Sequence, residues 1–154
     1  MSMFKSLIVK VGFDEAFDST PKKKYTIRIS LFNVIQQEHY CCLDDIDYNQ
    51  HMNNGMYNKI LDFNRIELIY SVLPKAILEP DHHIFAHNAG VVTLFKKEIP
   101  PFAKYRTEGR FYSWDDKWII LQHRFVLEDD TVACYAFSKI VFKKLSGKTV
   151  APET

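Results

Sequence analysis

The sequence predicts an α+β domain in which one long helix is wrapped by a curved antiparallel sheet. Over 56–73 the apolar residues fall at 56, 57, 60, 61, 63, 66, 68, 69, 72 and 73, the three- and four-residue spacing of a helix. From Gly90 onward the pattern changes to a period of two, in long runs separated by turn residues. The chain has 154 residues, 47% hydrophobic and 25% charged, which suits one globular domain with a core that needs no staples. An aromatic share of 14% fits a strand-rich core.

The elements follow in order. Residues 1–23 read as an N-terminal extension whose Phe4, Leu7, Ile8, Val9 and Val11 suit an arm packed on its own domain or on a partner. The main domain spans 24–145. It opens with a strand over 24–43, where Tyr25, Ile27, Ile29 and Leu31 alternate with polar residues before a break near Asn33. The helix follows and Pro74 closes it. Residues 74–87 read as a loop with a short helical turn at 75–78, in which His82, His83 and His87 are polar surface. Strands are expected at 90–99, 105–112, 118–127 and 132–143, with turns at 113–117 and 128–130, an antiparallel meander. Residues 146–154 form a flexible tail.

A formal net charge of +1 gives no footing for nucleic acid or an anionic membrane as partner. Cys41, Cys42 and Cys134 are an odd set that reads as free thiols in a reducing compartment, cytoplasm or mitochondrial matrix. No CxxC or Cys/His spacing suggests a metal, and no cofactor is expected. No apolar run reaches the roughly 18 residues of a transmembrane segment.

Chemistry concentrates at Asp45-Ile46-Asp47-Tyr48-Asn49-Gln50-His51-Met52-Asn53-Asn54-Gly55, just before the helix. Asn53 and Asn54 are N-cap types, and Gly55 suits a tight entry. The cluster therefore faces unpaired N–H groups and the positive end of the helix dipole, a place that stabilises a developing oxyanion. The same residues are also ordinary turn and cap formers, and that structural reading stands beside the chemical one.

Asp45-Ile46-Asp47 before the helix resembles the Asp-x-Asp of the 4-hydroxybenzoyl-CoA thioesterase-like hotdog proteins. The resemblance implies a hotdog fold, Asp47 as the catalytic carboxylate and the Asn54 amide as the group that polarises the thioester carbonyl. Residues 47–54 also resemble the D-x-N-Q-H-V-N-N segment of plant acyl-ACP thioesterases, which implies roles for Asp47, Asn49 and His51. That pattern continues with a Glu-Cys pair; here Glu98 is kept and Ile99 replaces the cysteine. Overall the chain is most similar to a eukaryotic branch of small single-hotdog proteins in the thioesterase superfamily. It shares their H-M-N-N helix start, a strand like Lys96-Lys97-Glu98-Ile99 and a turn like 114–118.

The expected function is hydrolysis of acyl-CoA or acyl-ACP thioesters, with candidate site residues Asp47, Asn49, His51, Asn54 and Glu98. Asp47 acts as base toward water or as direct nucleophile, Asn49 orients, and His51 shares the proton traffic because an imidazole titrates near neutrality. Phe63, Phe95 and Phe111 are candidates to line an acyl tunnel. The resemblance implies a site near the interface of a homodimer or hetero-hotdog assembly. Two other readings stay open: an inactive accessory subunit of a larger, mitochondrial assembly, and a hotdog dehydratase.

Overall fold

The structure is a computed structural model and describes residues 32–73 and 84–152. The N-terminal extension, the first part of the strand expected over 24–43, the turn expected at 75–78, and His82 and His83 lie outside the described residues. Helix α1, Asn54–Val72, is capped by Asn53, whose side chain accepts from the Gly55 N–H. Its buried positions are Tyr57, Ile60, Leu61, Asn64, Arg65, Leu68, Ile69 and Val72, a stripe at helical spacing. The strands are β1 (Ile35–Tyr40), β2 (Ile84–Phe95), β3 (Lys104–Trp114), β4 (Ile119–Leu127), β5 (Val132–Lys144) and β6 (Thr149–Val150).

All described strand pairs are antiparallel, in the order β1-β3-β4-β5-β2, with β6 beside β5. The expected meander is β3-β4-β5. Two elements differ from the sequence reading. β2 begins at Ile84 rather than Gly90, so His87 sits on a strand and not in a loop. Its alternation breaks at Asn88–Gly90, where the ladder to β5 shifts register, and this hides the first half from a period-two pattern. In the tail, Thr149 and Val150 pair with Lys143 and Phe142.

One face of the sheet packs on α1 in three strata, read directly from the two-residue period. Toward the helix start lie Tyr57, Ile60 and Leu61 with Tyr105, Phe125, Cys134 and Ala136. Toward the helix end lie Leu68, Ile69 and Val72 with Phe111, Leu121, Ile140 and Phe142. Between these apolar clusters the same strands place Thr107 and Gly109, His123 and Ser138 against Asn64 and Arg65, all buried.

That middle layer is fully hydrogen-bonded. His123 Nδ1 is 2.7 Å from Asn64 Oδ1, and Ser138 Oγ is 3.2 Å from His123 Nε2. Arg65 donates to Ser138 Oγ at 3.0 Å and also pairs with Asp62. Asn64 Nδ2 donates to Gln37 at 3.1 Å and lies 3.4 Å from Thr107 Oγ1. Because the Asn64 oxygen can only accept, Nδ1 of His123 carries the hydrogen and Nε2 takes the Ser138 hydroxyl proton. Gly109 makes room for this contact, since a Cβ there would stand 2.2 Å from Asn64 Oδ1.

The buried His123 ring is held at about 3 rather than 6.5, first by desolvation and then by the neighbouring Arg65 charge. Unfolding releases the ring to water, so below about pH 6.5 the unfolded chain takes up a proton that the folded chain refuses. Stability should be full above that pH and fall as the pH drops toward 3, by roughly 2 kcal/mol at pH 5 from this group. Urea unfolding near pH 7 and pH 5 measures it; a His123→Gln variant that loses as much stability would assign the slope elsewhere.

Candidate active site

The segment entering α1 folds as a small hairpin rather than an irregular loop. Ile46 bridges Met52, the Asp47 N–H donates to the His51 carbonyl at 3.1 Å, and the Gln50 N–H donates to the Asp47 carbonyl at 3.0 Å. The turn requires a left-handed residue, and Gln50 supplies it at φ 63°. The same bonding pattern recurs at 127–131, with Asp130 at φ 61°, and at 144–148, with Gly147 at φ 82°. Glycine and aspartate tolerate this conformation; glutamine is the costly choice, and it stands at the candidate site.

The hairpin is tied down on both sides. The Met52 N–H donates to the Ile99 carbonyl at 2.9 Å, and the Asn53 N–H to the Asp45 carbonyl at 2.8 Å. Asp45, the first acid of the Asp-x-Asp string, is occupied in a one-turn 3-10 helix, where its carboxylate accepts from the Cys42 N–H at 2.8 Å. Asp47 Oδ1 accepts from the Asn49 N–H at 2.8 Å, so Asn49 holds Asp47 through its backbone.

Long-range packing brings Glu98 to the hairpin. It lies past the end of β2, beside Ile99, not inside a strand as the sequence reading had it. His51 then stands between two carboxylates: Nδ1 is 3.9 Å from Asp47 Oδ1, and Nε2 is 3.8 Å from Glu98 Oε1. These separations exceed a hydrogen bond and fit ionic contacts or a bridging water. The Asp47 and His51 side chains are 18% and 24% exposed and Glu98 76%, so the cluster opens to solvent on the Glu98 side.

At the helix start, the cap consumes two of the first N–H groups. Gly55 donates to Asn53 Oδ1 at 2.7 Å and Met56 to the Asn53 carbonyl at 2.9 Å. Among the described residues nothing accepts from the Asn54 N–H, which leaves Asn54 and not Gly55 as the open donor. Tyr57 lies under the site, packed edge-on against Phe95 and tilted against Phe125. Burial raises its phenol, with a backbone hydrogen bond from Ile99 pulling the other way, so Tyr57 is neutral packing and not a base.

The aromatic trio expected to line a tunnel is not brought together. Phe63 points away from the core at 56% exposure and Phe95 is half exposed, while Phe111 is buried in the far apolar cluster. Asn64, His123 and Ser138 align like a nucleophile chain but are sealed from solvent, so no substrate reaches Ser138. Among the described residues no group of His, Cys, Asp and Glu is arranged to hold a metal ion.

The sequence model of the thioesterase-like superfamily matches residues 41–153. The chain is 33% identical over 123 residues to the probable thioesterase YBR096W of Saccharomyces cerevisiae, covering 79% of this chain and 53% of that protein. It is 29% identical over 120 residues to protein THEM6 of Drosophila melanogaster, covering 77% of this chain and 58% of that one. This chain belongs to the thioesterase-like superfamily. The chain spans about half the length of these two relatives. Among solved structures, the Staphylococcus aureus protein SAV2348 in complex with CoA superposes with a TM-score of 0.68 at 18% identity, over 78% of this chain and 77% of that one. The probable thioesterase YbaW of Escherichia coli gives 0.66 at 19% identity, over 75% and 88%. The fold is therefore the hotdog fold. Among the described residues no helix is long and apolar enough to cross a membrane.

The Gln50 turn yields a direct test. Gln50→Gly removes the left-handed penalty and should raise stability by about 0.5–1 kcal/mol after the entropy of glycine is subtracted. A urea midpoint that does not rise would show that the turn carries no strain.

Proposed function

We propose that this chain hydrolyses acyl thioesters at the start of α1. The observation that carries the reading is an imidazole held between two carboxylates in the segment that enters a helix whose first N–H is open. In the proposed reaction Asp47 takes a proton from water, and the resulting hydroxide attacks the thioester carbonyl. The Asn54 N–H, at the positive end of the helix dipole, stabilises the oxyanion. Collapse breaks the C–S bond, and the proton taken by Asp47 passes through His51, steadied by Glu98, to the departing thiolate, which leaves as the thiol and returns Asp47 to its carboxylate form. Asn49 keeps Asp47 oriented through the 2.8 Å backbone contact. The CoA held by the S. aureus neighbour supports CoA over a protein carrier for the acyl group.

Release of thiol from acyl-CoAs of graded chain length tests this. Asp47→Asn should lower turnover by about 100-fold or more while the far-UV spectrum and Tm stay as in the wild type. Full turnover in that variant would remove Asp47 from the mechanism.

We also propose that the working form is a homodimer joined through β2. Beyond β5, the other edge of this twelve-residue strand has no partner among the described residues. Phe85, Val92, Leu94 and Phe95 on it are exposed, an edge that isolated monomers rarely leave bare. Val92→Lys should shift the mass measured by light scattering from two chains to one; an unchanged mass would place the contact elsewhere. A catalytically silent subunit is the second reading. The exposed row Phe63, Ile66 and Tyr70 on α1 favours it, because hydrolysis has no use for a docking face there.

A further inference from the structure

We infer that Asn64 and His123 are positioning residues for the candidate site: their buried hydrogen bond sets the height of α1 on the sheet and so places the Asn54 N–H. This rests on the thioesterase reading for its kinetic consequence, though not for its structural one.

The oxyanion donor and the acids are carried by different parts of the fold. The Asn54 N–H belongs to the first turn of α1. Glu98 and the Ile99 carbonyl that holds Met52 belong to the connection between two strands of the sheet. A shift of the helix along the sheet therefore moves the donor relative to Glu98. The apolar clusters at the two ends of α1 resist separation but not sliding, because hydrophobic contact has little direction.

The polar layer supplies the direction. Sliding α1 by one turn, about 5.4 Å, would place Asn64 and Arg65 among aliphatic side chains with no partners and leave the His123 N–H unpaired. The 2.7 Å contact over Gly109, where a Cβ would stand 2.2 Å from the Asn64 oxygen, admits one helix position. From Asn64 to Asn54 the helix is a rigid rod of about 15 Å, so a displacement at the layer is carried to the site, where the Met52–Ile99 hydrogen bond opposes it. Misplacing a reacting group by about 1 Å costs up to about 100-fold in rate.

The test uses the full chain. A lone alanine at Asn64 leaves a buried orphan and can simply unfold, so the working variant is Asn64→Leu with His123→Leu, which replaces both partners by apolar groups. The variant should stay folded with a lowered Tm, because the Ser138 hydroxyl loses its acceptor while Arg65 still donates to it, and kcat for acyl-CoA should fall about tenfold or more at an unchanged KM. Asn64→Asp keeps the acceptor for His123 and should restore kcat to within about twofold. A folded double variant with wild-type kcat overturns the inference. If the wild type hydrolyses no thioester, the proposed function fails instead, and the positioning claim is read from the backbone amide resonance of Asn54. Movement of that resonance in the double variant and its return in Asn64→Asp support the claim; a resonance that stays in place in the double variant overturns it.

Discussion

The hydrogen bond between Asn64 and His123 constrains more of this fold than any apolar contact. Its sense is forced, because the Asn64 oxygen can only accept and Arg65 can only donate. From the two ends the whole chain is determined: Arg65 to Ser138, Ser138 to His123, His123 to Asn64, Asn64 onward to Gln37 and Thr107. Such a layer contributes little net stability compared with aliphatic packing, and a single missing member would leave a buried polar group unpaired. What it confers is uniqueness of position: two apolar clusters separated by a polar stratum match one alignment of helix and sheet.

A second use of polar groups appears on the outer face of the sheet. Glu108 is buried there and accepts from Arg106 Nε at 2.9 Å, Arg124 Nε at 2.7 Å and Gln36 Nε2 at 3.3 Å. The arginine stems cover the carboxylate while their guanidinium groups neutralise it, which lets a charged residue occupy a strand centre without a core. Inner and outer faces thus both carry fully paired polar groups, and no buried side-chain nitrogen or oxygen among the described residues lacks a partner.

The candidate site is built from local and distant parts in different proportions. Asp47, His51 and the Asn54 donor are arranged relative to one another by a hairpin of a few residues and a cap, while the height of α1 on the sheet sets where they stand relative to Glu98. Glu98 joins only because Met52 hydrogen-bonds Ile99 across 47 residues of chain. The left-handed Gln50 shows that the hairpin carrying Asp47 and His51 is retained against a local preference.

The sequence by itself determined the central helix, the antiparallel meander, the helix start and the cluster Asp47–Asn54, because these depend on short-range periodicity, caps and turns. The fate of the helix faces was decided by tertiary structure. Hydrophobicity alone places Phe63 and Ile66 inside, yet they are exposed, and Asn64 and Arg65 are buried. A signal was present: steps of three and four from Tyr57, Ile60 and Leu61 to Leu68, Ile69 and Val72 pass through 64 and 65, not through 63 or 66. Reading it requires giving geometry precedence over side-chain polarity, and only partners as distant in sequence as His123 and Ser138 make a buried asparagine and arginine tolerable. The same holds for Glu98 beside His51 and for β2, whose bulge breaks the pattern that would announce it. Local rules specify which way the chain turns; contacts between distant residues specify which polar groups can afford to be inside.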